Sequence, residues 1–248
     1  MKLLKTTAAA ALLAAAGAAS ADSIVGSFGD SSLRLTATAN VTLTTDYVFR
    51  GVSFSNNKPA IQGGFDLDLG NGVYLGTWGS SINLDASDDD GGDAGLELDI
   101  YGGWTGTYNS FGVDIGFIHY HFSGAEKLNT NEVYVGISQG PFTVTQYMGV
   151  AGNSDTTGGR DFGNYTHGSV DLGSLARWIP SAGPIGVVAN LGWTNGYEGI
   201  DDYYDWKLAF TRSLLGLDVE LAYTGTDQKE QGFKNDDDKL VLSVSKSL

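Results

Sequence analysis

Alternation of apolar and polar residues with period two, held for about ten residues and then repeated, is the feature that most constrains this chain. "GLDVELAYTG" (216–225) shows it plainly. Leu217, Val219, Leu221 and Tyr223 fall on one face of an extended strand, and Asp218, Glu220 and Ala222 on the other. "YYDWKLAFTR" opposes Tyr204, Trp206, Leu208 and Phe210 to Asp205, Lys207 and Ala209. "AIQGGFDLDLG" opposes Ile61, Phe65 and Leu67 to Gln62, Asp66 and Asp68, and "GLELDIYGGW" opposes Leu96, Leu98 and Ile100 to Glu97 and Asp99. No stretch keeps a helical period for three turns. The pattern predicts about twelve strands, near 37–50, 60–70, 72–84, 95–107, 111–122, 130–139, 141–151, 161–175, 184–195, 203–213, 216–225 and 239–248; ten or fourteen are the alternatives. In "FGVDIGFIHYHF" the alternation loses phase after Phe117, which suggests a bulge or the end of a buried band.

The connections sort by parity. Odd-numbered ones are long and polar, as in "GVSFSNNK", "DASDDDGGDA" and "TDQKEQGFKNDDD", whereas even-numbered ones are mostly tight, as in "GN", "YNS", "QG" and "LLG". Short turns at one end and long charged loops at the other are the asymmetry of an outer-membrane barrel. A soluble sandwich has no reason to sort its loops this way. The fold predicted is therefore all-β, a transmembrane antiparallel up-and-down β-barrel over 37–248. Closure leaves no unpaired sheet edge in lipid, and strands of 9–11 residues span the hydrocarbon when tilted.

Export fits this reading. Residues 1–21 carry two lysines, a short uncharged apolar run and Ala19-Ser20-Ala21, the pattern of a cleaved signal peptide. Residues 22–36 are rich in Gly and Ser and read as a flexible periplasmic lead-in. The formal charge of −15 argues against nucleic-acid partners, and the absence of cysteine excludes a disulfide framework. The expected partners are outer-membrane lipid and lipopolysaccharide, the outer-membrane assembly machinery, and small solutes.

The inward faces name the candidate lumen residues: Asp46, Arg50, Gln62, Asp66, Asp68, Glu97, Asp99, Asp114, Glu132, Asp205, Lys207, Asp218 and Glu220. Acids outnumber bases, and carboxylates in a conducting pore attract cations; a salt-bridged, filled interior is the alternative. Asp66, Asp68, Asp99 and Glu220 are the leading candidates for a charge filter. In "TTDYVFRG" the alternation predicts Tyr47 and Phe49 toward lipid, above Val41 and Leu43, with Asp46 and Arg50 in the lumen. Four residues of strand separate those two charges by roughly 13 Å, so each must find other partners.

"TDYVFRGVSFSNNKPAIQGGFDL", "GVYLGTWGSSIN", "ELDIYGGW", "VDIGFIHYHF", "NEVYVGIS" and the closing "LVLSVSKSL" together resemble the TorF-type porin family of exported outer-membrane proteins. The resemblance spans nearly the whole chain after residue 21, with Asp46–Gly51 its most specific piece, and implies an outer-membrane pore. Barrels of this kind commonly end in an aromatic residue, whereas this chain ends in Leu248.

Other motifs read more plainly. Asp85–Asp93 and Asp236–Asp238 are dense in carboxylates but lack the order of an EF-hand loop, so solvated loops are expected, with weak bridging of divalent cations to lipid headgroups as the alternative. His119 and His121 share a strand face without a third ligand nearby and read as interface residues. Trp78, Trp104, Trp193, Trp206 and the many tyrosines are expected in aromatic girdles. "GISQG" (136–140) matches a nucleophile-elbow pattern by letter, but Pro141 and another strand follow it where a helix is required. No cofactor, metal or catalytic motif is recognised, and the reading is non-enzymatic. A passive channel is the function expected. A non-conducting barrel that binds through its acidic loops is the alternative, and a lipid-active hydrolase using Ser138 and His167 a third.

Overall fold

The computed structural model describes residues 24–26, 35–84, 94–152, 163–173, 185–196, 201–228 and 237–248. The predicted signal peptide, most of the lead-in and the acidic stretch Asp85–Asp93 lie outside them. Twelve strands form the barrel: β1 (Leu35–Thr44), β2 (Ala60–Gly70), β3 (Val73–Leu84), β4 (Ala94–Tyr108), β5 (Phe111–Ser123), β6 (Thr130–Gln139), β7 (Phe142–Gly152), β8 (Asn164–Asp171), β9 (Gly186–Asn195), β10 (Tyr203–Leu214), β11 (Leu217–Thr226) and β12 (Lys239–Ser247). Each pairs antiparallel with its sequence neighbours. β1 pairs on one side with β2 and on the other with β12, so the sheet closes and none of the twelve is an edge. A short strand, Ile24–Gly26, adds to the start of β1.

Tight turns close one end. Asn71-Gly72 and Leu215-Gly216 have positive φ at both positions, the backbone that two-residue hairpins require. The odd-numbered connections, all longer, lie at the other end; among the even-numbered ones the exception is residues 172–185, which join β8 to β9 on the side of the tight turns.

Cross-strand partners share a face, which fixes inside and outside. One row, Thr42–Gln62–Ser80–Glu97–Phe122, runs across β1 to β5 and is buried throughout. The neighbouring positions Leu43, Ile61, Leu98, Ile100, Ile115 and Leu221 are exposed on the outer face. An apolar exterior around a polar interior inverts the soluble arrangement and is what hydrocarbon demands of a transmembrane barrel.

Two expectations are corrected. β1 ends at Thr44 instead of continuing to 50, and residues 45–59 turn back into the barrel. The register of β5 is unbroken against both neighbours, so no bulge follows Phe117. Ile118, Tyr120 and Phe122 keep the inward phase. They are apolar because the returning segment packs on them.

Candidate functional site

That segment is a miniature hairpin. Val48–Phe49 pairs with Val52–Ser53, and Arg50 and Gly51, both at positive φ (47° and 82°), make its two-residue tip. Its base is tied by Asp46, whose Oδ1 accepts from Ser53 Oγ (2.5 Å) and Ser55 Oγ (2.7 Å). The Tyr47 amide donates to Ser55 Oγ at 2.9 Å, and the Asn83 amide of β3 donates to the Phe54 carbonyl at 2.8 Å. Rings fasten its flanks. Tyr47 meets Trp78 edge-on (5.4 Å between centroids), Phe49 meets Tyr120 (5.9 Å), and Phe54 meets Phe122 (6.2 Å).

The tip reaches the far wall. Arg50 forms a bidentate pair with Glu132 of β6, at 3.0 and 2.7 Å, and Glu132 also accepts from the Tyr120 hydroxyl at 3.1 Å. The guanidinium carbon lies 4.2 Å from the Tyr165 ring centroid, 4.8 Å from that of Phe49 and 5.5 Å from that of Tyr147. Tyr165 in turn donates to Asp205 of β10 at 3.2 Å. The Gly51 backbone packs so closely on β10 and β11 that a Cβ there would lie 2.9 Å from Asp205 Cβ and 2.7 Å from Thr226 Cβ. From its attachment beside β3 to these contacts, the hairpin crosses the barrel.

The remaining interior is polar. Glu97 and Asp99 are buried next to one another on β4. Among the described residues no donor bonds either Glu97 oxygen within hydrogen-bond distance and angle, although the Tyr47 hydroxyl is directed at it. Toward the short turns, Tyr101 donates to Asp66 at 2.5 Å, and the Tyr74 hydroxyl joins Asp114 (2.8 Å) and Tyr134. Lys207 pairs with Glu220 at 2.8 Å. Gln62 bonds Ser80 at 3.3 Å, Asp68 takes the Gly70 amide at 2.7 Å beside its turn, and Asp218 receives the Ser213 hydroxyl.

The predicted site residues thus divide into two groups. Gln62, Asp66, Asp68, Glu97, Asp99, Asp114, Glu132, Asp205, Lys207, Asp218 and Glu220 stand on the inner face of the strands. Asp46 and Arg50 reach the interior on the hairpin. Tyr47 and Phe49 do not meet lipid; both pack inside. Trp78, expected in a girdle, turns inward against Tyr47, while Trp104 and Trp193 are exposed outside. Tyr74, Tyr101, Tyr120, Tyr134, Tyr147 and Tyr165 also face inward and were missed. Their phase was a usable signal, because Tyr101 keeps step with Glu97 and Asp99, and Tyr134 with Glu132. Ser138 lies in β6, followed by the turn at Gly140 and strand β7, so it forms no nucleophile elbow. His119 and His121 hold Asn131 and Asn129 through their Nδ1 atoms.

Fold and interior together define a transmembrane β-barrel of the porin architecture with a hairpin inserted in its lumen. A family model described as a bacterial protein of unknown function (Gcw_chp) matches residues 29–248, and the chain belongs to that family. The KdgM porin superposes with a TM-score of 0.53 at 9% identity, over 85% of this chain and 99% of that one. The NanC porin does so with a TM-score of 0.51 at 10% identity, over 84% and 97%. At such identities the likeness is one of fold. No curated protein matches the sequence.

Proposed function

We propose that the chain is an outer-membrane channel through which small solutes and cations diffuse passively, narrowed by the inserted hairpin and biased toward cations by its inner carboxylates. The observation that carries this reading is the charge imbalance of the inner face. Among the described residues Asp66, Asp68, Asp114, Asp205, Asp218 and Glu220 stand against Lys207 and Lys239, while Arg50 and Glu132 offset one another. Fixed negative charge in a low-dielectric tube concentrates cations and excludes anions. The porin architecture, the sorting of loops and the resemblance to the TorF-type porin family support the same location and role. In this reading residues 1–21 direct export, assembly machinery inserts the barrel, and its apolar band meets lipid and lipopolysaccharide.

The test is single-channel current from refolded protein under a potassium chloride gradient. A steady conductance with a cation-signed reversal potential is expected. Silence from inserted, heat-modifiable protein would instead favour a non-conducting binding barrel, a second reading supported by how completely Arg50, Glu132, Asp205 and Thr226 are buried around the hairpin tip.

A further inference from the structure

The pocket that holds Arg50 belongs to the barrel wall far more than to the hairpin. Glu132 comes from β6, Tyr120 from β5, Tyr147 from β7, Tyr165 from β8 and Asp205 from β10; Phe49 alone is contributed by the hairpin. Five strands of a closed sheet hold these groups in place whether or not the tip is docked. The chemistry is specific. A carboxylate engaged by two parallel N–H bonds, with aromatic faces on a planar cation, is matched to a guanidinium and poorly matched to a compact ammonium or a hydrated metal ion.

We propose that this box, formed by Glu132, Tyr120, Tyr147, Tyr165 and Asp205, is a recognition site for solutes bearing a guanidinium group, and that Arg50 fills it as a tethered stand-in until such a solute displaces the hairpin. The inference rests on the reading of the barrel as a channel and gives that channel a substrate class. Charge explains the selectivity. Withdrawing Arg50 removes the guanidinium that pairs with buried Glu132 and stacks on Tyr165 beside buried Asp205. Neutral or anionic solutes offer nothing to replace the lost charge. A tethered group competes at an effective concentration on the order of millimolar, so a free solute must reach a comparable level to open the site. Weak, reversible binding of that kind suits passage through a channel.

The experiment is titration calorimetry of the refolded full chain with methylguanidinium chloride, with methylammonium and potassium chlorides as controls. Arg50→Ala is expected to bind methylguanidinium about tenfold more tightly than wild type, because the internal competitor is gone. Adding Glu132→Gln to that variant should abolish the gain, and neither control ion should reproduce it. Where Arg50→Ala fails to fold by circular dichroism, Arg50→Lys keeps a cation at the tip but loses the fork and should also bind methylguanidinium more tightly than wild type. Equal affinity in wild type and the Arg50 variants, or equal binding of methylammonium, overturns the proposal. Potassium chloride current measured in parallel separates the two readings. Current without guanidinium preference sinks the box alone, whereas the predicted titration order without current sinks the channel alone.

Discussion

Arg50 and Glu132 are 82 positions apart in sequence and meet in a fork of two bonds across the inside of the barrel, with side chains only 8% and 3% exposed. A buried charge that loses its partner is left desolvated and uncompensated. Glu132→Ala is therefore expected to lower the stability of the folded barrel by about 3 kcal/mol, measured by urea unfolding in lipid. The double variant Arg50→Ala/Glu132→Ala should recover part of that loss, since neither charge is then stranded. Full additivity of the two single losses would show that the pair is not coupled.

Freeing the hairpin should also widen the lumen. Asp46 is its base staple, accepting two serine hydroxyls within the same loop. Asp46→Ala removes both charge-assisted bonds and is expected to cost about 2 kcal/mol. The functional readout is single-channel current, which should become larger and noisier than wild type as the hairpin samples undocked positions. An unchanged current would mean that the hairpin does not limit conduction.

Gly51 makes the same point by sterics. Its positive φ disfavours any side chain, and a Cβ would collide with the β10–β11 wall. Gly51→Ala should keep the barrel, with an unchanged strand signature in circular dichroism, yet undock the tip at a cost of about 1–3 kcal/mol. Proteolysis at loop 45–59 would report the release, and its absence would count against a tightly packed tip.

Much of this was legible in the sequence, and what was not has a physical cause. Leu217, Val219 and Leu221 announce the outer face because lipid accepts only apolar side chains there, and the short turns mark one end because a two-residue hairpin leaves no room for more. Tyr47 and Phe49 read as lipid-facing because a hairpin folded into an aromatic-lined lumen alternates just as a lipid-facing strand does. Period two reports that two faces differ, but not which surroundings each face meets. The turn signal is Arg50-Gly51, set between Val48-Phe49 and Val52-Ser53 inside what reads as one strand. Ile118, Tyr120 and Phe122 appeared to lose phase for the same reason. Their inward face is apolar because it packs on that hairpin.

The inner charges should set selectivity. Asp66 and Asp114 lie toward the short turns, each bonded to a tyrosine hydroxyl that remains after substitution. Asp66→Asn/Asp114→Asn is expected to move the reversal potential toward zero under a potassium chloride gradient, with little change in conductance at high salt, where fixed charges are screened. A reversal potential that stays at its wild-type value would place the filter elsewhere.

The assignment of faces can be tested by a matched pair of arginine substitutions. Leu221 sits midway along β11, 48% exposed on the outer face between Phe210 and Leu242. An arginine there must enter hydrocarbon, so Leu221→Arg is expected to cost about 2–4 kcal/mol when the barrel folds into bilayers. Thr211 lies on the adjacent strand in register with Glu220, on the inner face. Thr211→Arg gains a carboxylate neighbour in a polar interior and should cost less than about 1 kcal/mol. The contrast depends on lipid. In a short-chain detergent that lets water reach the outer face, the penalty at Leu221 should shrink while that at Thr211 stays the same. Equal penalties in bilayers would mean that the apolar band does not face hydrocarbon, and the barrel would have to be read as something other than a membrane channel.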